Sequence, residues 1–416
     1  AGIFISEAGD LTANQLLIHE NYGGGLLSYS SETDESNSMI SLSDVQVLRN
    51  YNPEDTIDFS NGIVLETTYS GTFSQVIIED HPSFNLIVSS DENALSGHTL
   101  DFQDLIIWNL DPDHTALDTP DVSSGVSLGS AGQITLERAL LKENYHFGMI
   151  ANGTSEESGV LYLELTDVLI RGTQMNRDGT FGQGLAAVGN LDLSFNRLHL
   201  TQNHTIGMTV YDRIEYGIAP TITGHDLTIS HTESNLFGYV GRGLEIQGGA
   251  VTEFERVLIS GNREGGILLF GQGDTWPTMA TFRHLTVENT QQAVCGQIDP
   301  SDPTACIEDG INYGGGSGII ATNGALVSLD HFIIETSELT GLGLWPHHDP
   351  EESEGADPQV SLTTGQISNN NIGIYMEVDS PDSALTYEDD VFLFDNQVDF
   401  SFDSLPPPVP ATLILD

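Results

Sequence analysis

An all-β solenoid with three short strands to each turn is the fold this sequence predicts. Three observations carry that expectation: an internal repeat, apolar residues at every second place, and turns punctuated by Gly, Asn and Asp without sustained helical periodicity. Six segments align without gaps from a leading glycine, at Gly2, Gly62, Gly125, Gly184, Gly243 and Gly318. The clearest pair reads GVSLGSAGQITLERALLKENYHFGMIANG from Gly125 and GLEIQGGAVTEFERVLISGNREGGILLFG from Gly243.

Each element is justified by a column of the alignment. The residue after the glycine is Ile3, Ile63, Val126, Leu185, Leu244 or Ile319, and a middle column reads Ile18, Ile78, Leu141, Leu200, Ile259 and Ile334. Both are inward strand positions, because side chains alternate between the faces of a strand. A later column, Gly25, Asn85, Gly148, Gly207, Gly266 and Gly341, reads as a turn needing positive φ. Shorter versions of the middle motif lie between the copies, among them Asp104-Leu-Ile-Ile, Asp167-Val-Leu-Ile and Asp226-Leu-Thr-Ile. The repeating unit is therefore two rungs, each of roughly thirty residues, which is too long for hexapeptide helices.

One turn position holds Asn21, Asn144, Asn203 and Asn262, with Asn50 and Asn370 on the intervening rungs. On these residues the chain resembles the right-handed parallel β-helix family, the pectin-lyase-like superfamily, over about residues 2 to 396. The resemblance implies a single-stranded parallel β-helix of about twelve rungs and a ladder of asparagine amides, each donating to the next. His81, Leu110, Thr173, Thr232, Thr290 and Ser337 interrupt that column. The repeats also look like those of secreted bacterial β-helix proteins, which bears on fold and location rather than chemistry. The expected organisation is a β-helix over 1–396 and a Pro-rich tail over 397–416 that ends in a short strand, Thr412–Leu415.

The place just before the middle strand reads Gln15, Asp44, Gln75, Asp104, Arg138, Asp167, Arg197, Asp226, Arg256, His284, His331 and Thr364. From Asp104 to Arg256 the sign alternates at every rung. Neighbouring strands lie about 4.8 Å apart, so each arginine is expected between two carboxylates, in a charge ladder that fixes register.

Composition restricts the partners. With 61 acidic and 11 basic residues the formal charge is -50, which excludes nucleic-acid binding and disfavours anionic membranes. Hydrophobic residues make up 38% of the chain, enough for a real core. Cys295 and Cys306 bracket a polar insert and read as a disulfide, hence an oxidising, extracellular or cell-surface setting. No cofactor is fixed by the sequence, and calcium is the candidate that the acidic loops suit. Its candidate ligands lie in acidic insertions, at Asp111 and Asp113, Asp349 and Glu351, and Asp379 and Asp382.

Carboxylates occur everywhere, so no pair of them marks a catalytic centre. The expected function is a non-catalytic extracellular rod, a filament, surface-layer or complex subunit. Self-association or another protein would cover its open ends. The alternative is a carbohydrate-active enzyme or binding module for a neutral glycan, with Tyr211, Phe270, Trp276 or Trp345 as stacking platforms.

Overall fold

The computed structural model describes residues 2–6, 10–21, 24–29, 39–48, 61–66, 70–81, 84–89, 98–109, 124–129, 132–153, 159–176, 179, 181–212, 218–235, 240–272, 276–292, 298–299, 302–306, 315–345 and 356–402. The chain is a right-handed parallel β-helix. It divides into two compact units, Ala1–Asn203 with Asp212–Ile222, and His204–Tyr211 with Thr223–Asp416.

In the first unit a short and a long strand alternate along the chain, and each pairs in parallel with its counterpart one coil away. The short strands include Ser124–Gly129, Phe147–Gly153 and Gln183–Gly189. The long ones include His98–Trp108, Gly132–Lys142, Leu161–Arg171 and Leu191–Thr201. The second unit repeats the scheme, with short strands such as Arg242–Gln247, Gly265–Phe270, Ser317–Thr322 and Thr340–Trp345, and long strands such as Val251–Ser260, Met279–Glu288 and Leu326–Glu335. Among the described residues there are fourteen short strands, where the sequence suggested about twelve rungs.

Each long strand is two strands joined at a corner. In Gly132–Lys142 the inward residues are Ile134 and Leu136 before the corner, then Ala139 and Leu141 after it. Arg138 is the extra residue that resets the alternation, and it does so at φ 58°. All of Gln15, Asp44, Gln75, Asp104, Arg138, Asp167, Arg197, Asp226, Arg256, His284 and His331 lie between φ 53° and 60°. The column read as a charge ladder is thus also the left-handed corner, a conformation that costs a non-glycine residue roughly 1–2 kcal/mol. A second left-handed residue, such as Glu143, Gln202 or Asn369, sits just before each described ladder asparagine.

The glycine column fails the positive-φ expectation. Gly148, Gly207, Gly266 and Gly341 are absent from the left-handed positions. Close approach selects glycine there instead. A Cβ on Gly148 would meet the carbonyl oxygen of Gly184 at 2.7 Å, and one on Gly266 that of Gly318 at 2.5 Å.

The core consists of stacked inward columns. Leu26, Ile63, Leu86, Val126, Met149 and Leu185 form one fully buried column, and Phe73 and Phe102 stack at 4.5 Å in another. Burying each such side chain contributes roughly 1.5–3 kcal/mol. The two-rung period has a visible counterpart in the connections. Long ones, 90–97 and 109–123 or 154–160 and 172–182, flank His98–Trp108 and Leu161–Arg171, whereas Gly132–Lys142 between them has only 130–131 and 143–146.

The last short strand, Val398–Phe402, pairs with Ile372–Met376, so regular pairing runs into the region read as the tail. Thr412–Leu415 lies outside the described residues.

Candidate functional site

The corner column brings opposite charges together in pairs. Arg138 donates from Nε and Nη2 to the two carboxylate oxygens of Asp104, at 2.7 and 3.1 Å. Arg197 grips Asp167 in the same fork, with Nη2 to Oδ2 at 2.7 Å, and Arg256 grips Asp226 at 2.7 and 2.9 Å. Every fork points from one coil to the coil before it. Arg138 is not sandwiched as expected: the carboxylate on its other side, Asp167, is forked by Arg197 and feels Arg138 only as a weaker long-range attraction. Hydrogen bonding to the guanidinium holds the Asp104 and Asp167 carboxyls below the ordinary carboxylate value.

The asparagine column also latches neighbouring coils, though rarely by amide-to-amide bonds. Asn203 Oδ1 accepts the backbone N–H of Thr173 at 3.0 Å, and Asn262 Oδ1 that of Thr232 at 3.0 Å. Asn370 Oδ1 accepts from Ser337 N–H at 2.9 Å. Thr173, Thr232 and Ser337, read as interruptions, are therefore the donors, because the acceptor needs only a backbone N–H on the preceding coil. Direct amide contacts do occur from Asn85 Nδ2 to Asn144 Oδ1 at 3.2 Å and to Asn109 Oδ1 at 3.4 Å, and from Asn370 Nδ2 to Asn396 Oδ1 at 3.1 Å. Asn21 Nδ2 donates to the His19 carbonyl at 3.3 Å, and Asn50 lies outside the described residues.

Asp111, Asp113, Asp349 and Glu351 lie outside the described residues. Asp379 and Asp382 flank a turn that a different carboxylate organises: Asp357 accepts the N–H groups of Asp379 and Ser380 at 3.2 and 2.9 Å. Among the described residues no group of three or more His, Cys, Asp or Glu side chains is placed to hold a metal ion. Cys295 and the side chain of Cys306 also fall outside them. What is seen of that insert is an antiparallel pair, Ile298–Asp299 with Asp302–Cys306.

A more chemically varied surface is the outward face of the short strands in the second unit. Gln247, Phe270, Thr322 and Trp345 occupy one register column on successive coils. Tyr211 begins that column, one residue beyond the Val210 that pairs with Ile246. Glu377 ends it, one residue beyond the Met376 that pairs with Leu344. Aromatic rings thus recur on every second coil, with a polar side chain on each coil between. The neighbouring outward column supplies Glu245, Leu268, Ile320, Gly343 and Tyr375. Gly343 is required by its neighbour: a Cβ there would run into the Trp345 ring, whose Cη2 lies 3.1 Å from that position. Trp345 meets Tyr375 edge-on at 6.1 Å, and the Tyr375 hydroxyl donates to Glu377 at 3.1 Å. Trp276, 40% exposed, stands on the turn after Gly265–Phe270. Thr278 fixes that turn by donating its hydroxyl to the Phe270 carbonyl at 2.7 Å.

At one end of this face Arg242 sits between Glu245 and Glu264, at 2.7 and 2.8 Å. Burial opposes its charge, but the two carboxylates outweigh that cost and its pKa is raised. Sequence reasoning missed this trio. The available signal was a carboxylate at Glu245 in the strand Leu244-Glu-Ile246, with Arg242 three places before it.

No family model matches the sequence, and no curated protein matches it. Among solved structures, the crystal structure of the periplasmic alginate epimerase AlgG is similar with a TM-score of 0.41 and 11% identity, over 96% of this chain and 76% of that chain. A double mutant of that protein gives 0.45 over 92% and 78%. No chemistry follows from a likeness at that level.

Proposed function

We propose that this protein is a non-catalytic, extracellular β-helix that holds a neutral glycan along the outward face of its second unit. The observation that carries this reading is the column Tyr211, Phe270, Trp345, with rings about two strand spacings apart, near 10 Å. A pyranose in an extended chain advances by about one strand spacing, so every second sugar would meet a ring. The apolar faces of sugars stack on aromatic rings, while Gln247 and Glu377 offer hydrogen bonds to hydroxyl groups between them. Repulsion by a chain of formal charge -50 selects against polyuronates. Glu245 and Glu264 converge, but on one guanidinium, which keeps them from acting as a proton-transfer pair.

The test is calorimetric titration with neutral and acidic oligosaccharides of matched length. Binding of a neutral oligosaccharide that Trp345→Ala weakens, with no release of shortened chains, supports the proposal. Binding that is unaffected by Trp345→Ala and Phe270→Ala, or cleavage of the ligand, would overturn it.

An assembly role has one observation of its own. Val398 and Phe402 continue the inward columns of Ile372 and Met376, yet are 41% and 54% exposed. Sedimentation velocity over a range of concentrations separates this reading from the first, because a species that stays monomeric at high concentration has no use for those side chains in self-association.

A further inference from the structure

After three charged coil pairs the corner column turns to histidine. Three pairs of coils are closed by Asp104 with Arg138, Asp167 with Arg197 and Asp226 with Arg256. At the pair Met279–Glu288 and Leu326–Glu335 the same two positions hold His284 and His331. The strands pair Arg283 with Asp330 and Leu285 with Phe332, which sets the two histidines opposite each other. Their ring centroids are 5.0 Å apart and their planes are inclined by 50°. Both side chains are exposed.

We propose that His284 and His331 form a two-imidazole site for a divalent transition-metal ion, which would close this coil pair where an Asp–Arg fork closes the three before it. Three features of the site support it. First, two neutral imidazoles a single strand spacing apart can turn a ring nitrogen each toward one ion, and imidazole suits nickel, copper and zinc. Second, His331 Nδ1 lies 2.7 Å from Asp330 Oδ1. A carboxylate on one ring nitrogen fixes the tautomer and leaves Nε2 for the metal, the usual support of a ligating histidine. Third, the neighbouring charges do not repel a cation strongly. Arg256, next in the column, is occupied by Asp226 and Glu255, and Arg283 lies in register between Glu255 and Asp330.

With no third side chain from a cluster of ligands among the described residues, water completes the coordination, so affinity is moderate and the ion exchangeable. Acidic residues across the chain would also attract metal ions without specificity. That alternative predicts binding by hard cations too, since carboxylates suit calcium and imidazole does not.

The experiment titrates the protein with nickel in the presence of excess calcium, using calorimetry and the thermal unfolding midpoint as readouts. His284→Asn, His331→Asn and the double variant serve as comparisons, asparagine being a residue that tolerates the left-handed corner. The expected result is one nickel ion that calcium does not displace and that raises the midpoint. Each single substitution should weaken binding by about tenfold or more, and Asp330→Asn should weaken it by a smaller factor. Copper bound to the unsubstituted protein should show two nitrogen ligands by electron paramagnetic resonance. Nickel uptake that survives in the double variant, or that calcium abolishes, would overturn the site.

Discussion

Arg256 reaches back across one coil boundary to hold both oxygens of Asp226, and it does so from a backbone conformation that arginine rarely adopts. Fork and corner are therefore coupled. The corner turns the side chain outward, where it meets Asp226 of the preceding coil and its own chain neighbour Glu255.

Arg256→Asn should relieve the corner while removing the fork, and Asp226→Asn should remove the fork alone. Asp226→Asn is accordingly expected to lower the unfolding midpoint more than Arg256→Asn does. Added salt should narrow the gap, because these groups are solvent-exposed. Asp104 and Asp167 have folded pKa values below the ordinary carboxylate value, because each accepts hydrogen bonds from an arginine. Their contribution stands fully above that value and is lost as pH falls through the lower folded one. Thermal melts of both variants at two ionic strengths test the first part.

His81 replaces a ladder asparagine and is buried, with Nε2 3.3 Å from the Val47 carbonyl. Burial pushes its pKa down from 6.5 to about 4, against a smaller upward pull from that carbonyl. Above pH 6.5 the ring is neutral in both states. Between 6.5 and 4 only the unfolded chain takes up the proton, so stability falls with falling pH by up to about 3 kcal/mol, and below 4 this loss is complete. His81→Asn should flatten that part of the stability profile, measured by urea unfolding at pH 7.5 and pH 5.

Asn262→Ala leaves the buried Thr232 N–H without its acceptor, at an expected cost of about 1–3 kcal/mol. Asn262→Asp keeps an acceptor oxygen and should cost less near neutral pH. Hydrogen exchange at Thr232 reports the loss directly, since opening should quicken locally before the whole unit unfolds.

Gly343→Ala should displace the Trp345 ring from its place on the outward face while leaving the inward columns of Leu342 and Leu344 intact. The expected outcome is weaker binding of a neutral oligosaccharide at nearly unchanged thermal stability. Phe282→Ala should do the reverse, costing about 3–5 kcal/mol from a core position.

The coil architecture could be read from the chain because inward columns such as Ile18, Ile78 and Leu141 recur in fixed register, and burial tolerates only apolar residues there. The corner was harder. Its residues are Gln, Asp, Arg and His, none of which announces a left-handed backbone, whereas Gly148 and Gly266 suggested one and are glycine for lack of space. The asparagine column looked broken at Thr173 and Thr232 because a sequence shows side chains and not the backbone N–H groups that complete the bonds. The aromatic column of the outward face was legible only as single residues. Tyr211, Phe270 and Trp345 align only once the insertions between them, of unequal length, are removed from the count.

Since each Asp–Arg fork runs backward within a pair, the smallest piece of this chain that keeps its fork contacts is the pair. Gaining or losing a whole pair would return every surviving residue to a familiar neighbour, whereas an odd change would set arginine beside arginine and place bulky excursions on adjacent layers. The length of such a molecule is free to evolve, but only in double steps.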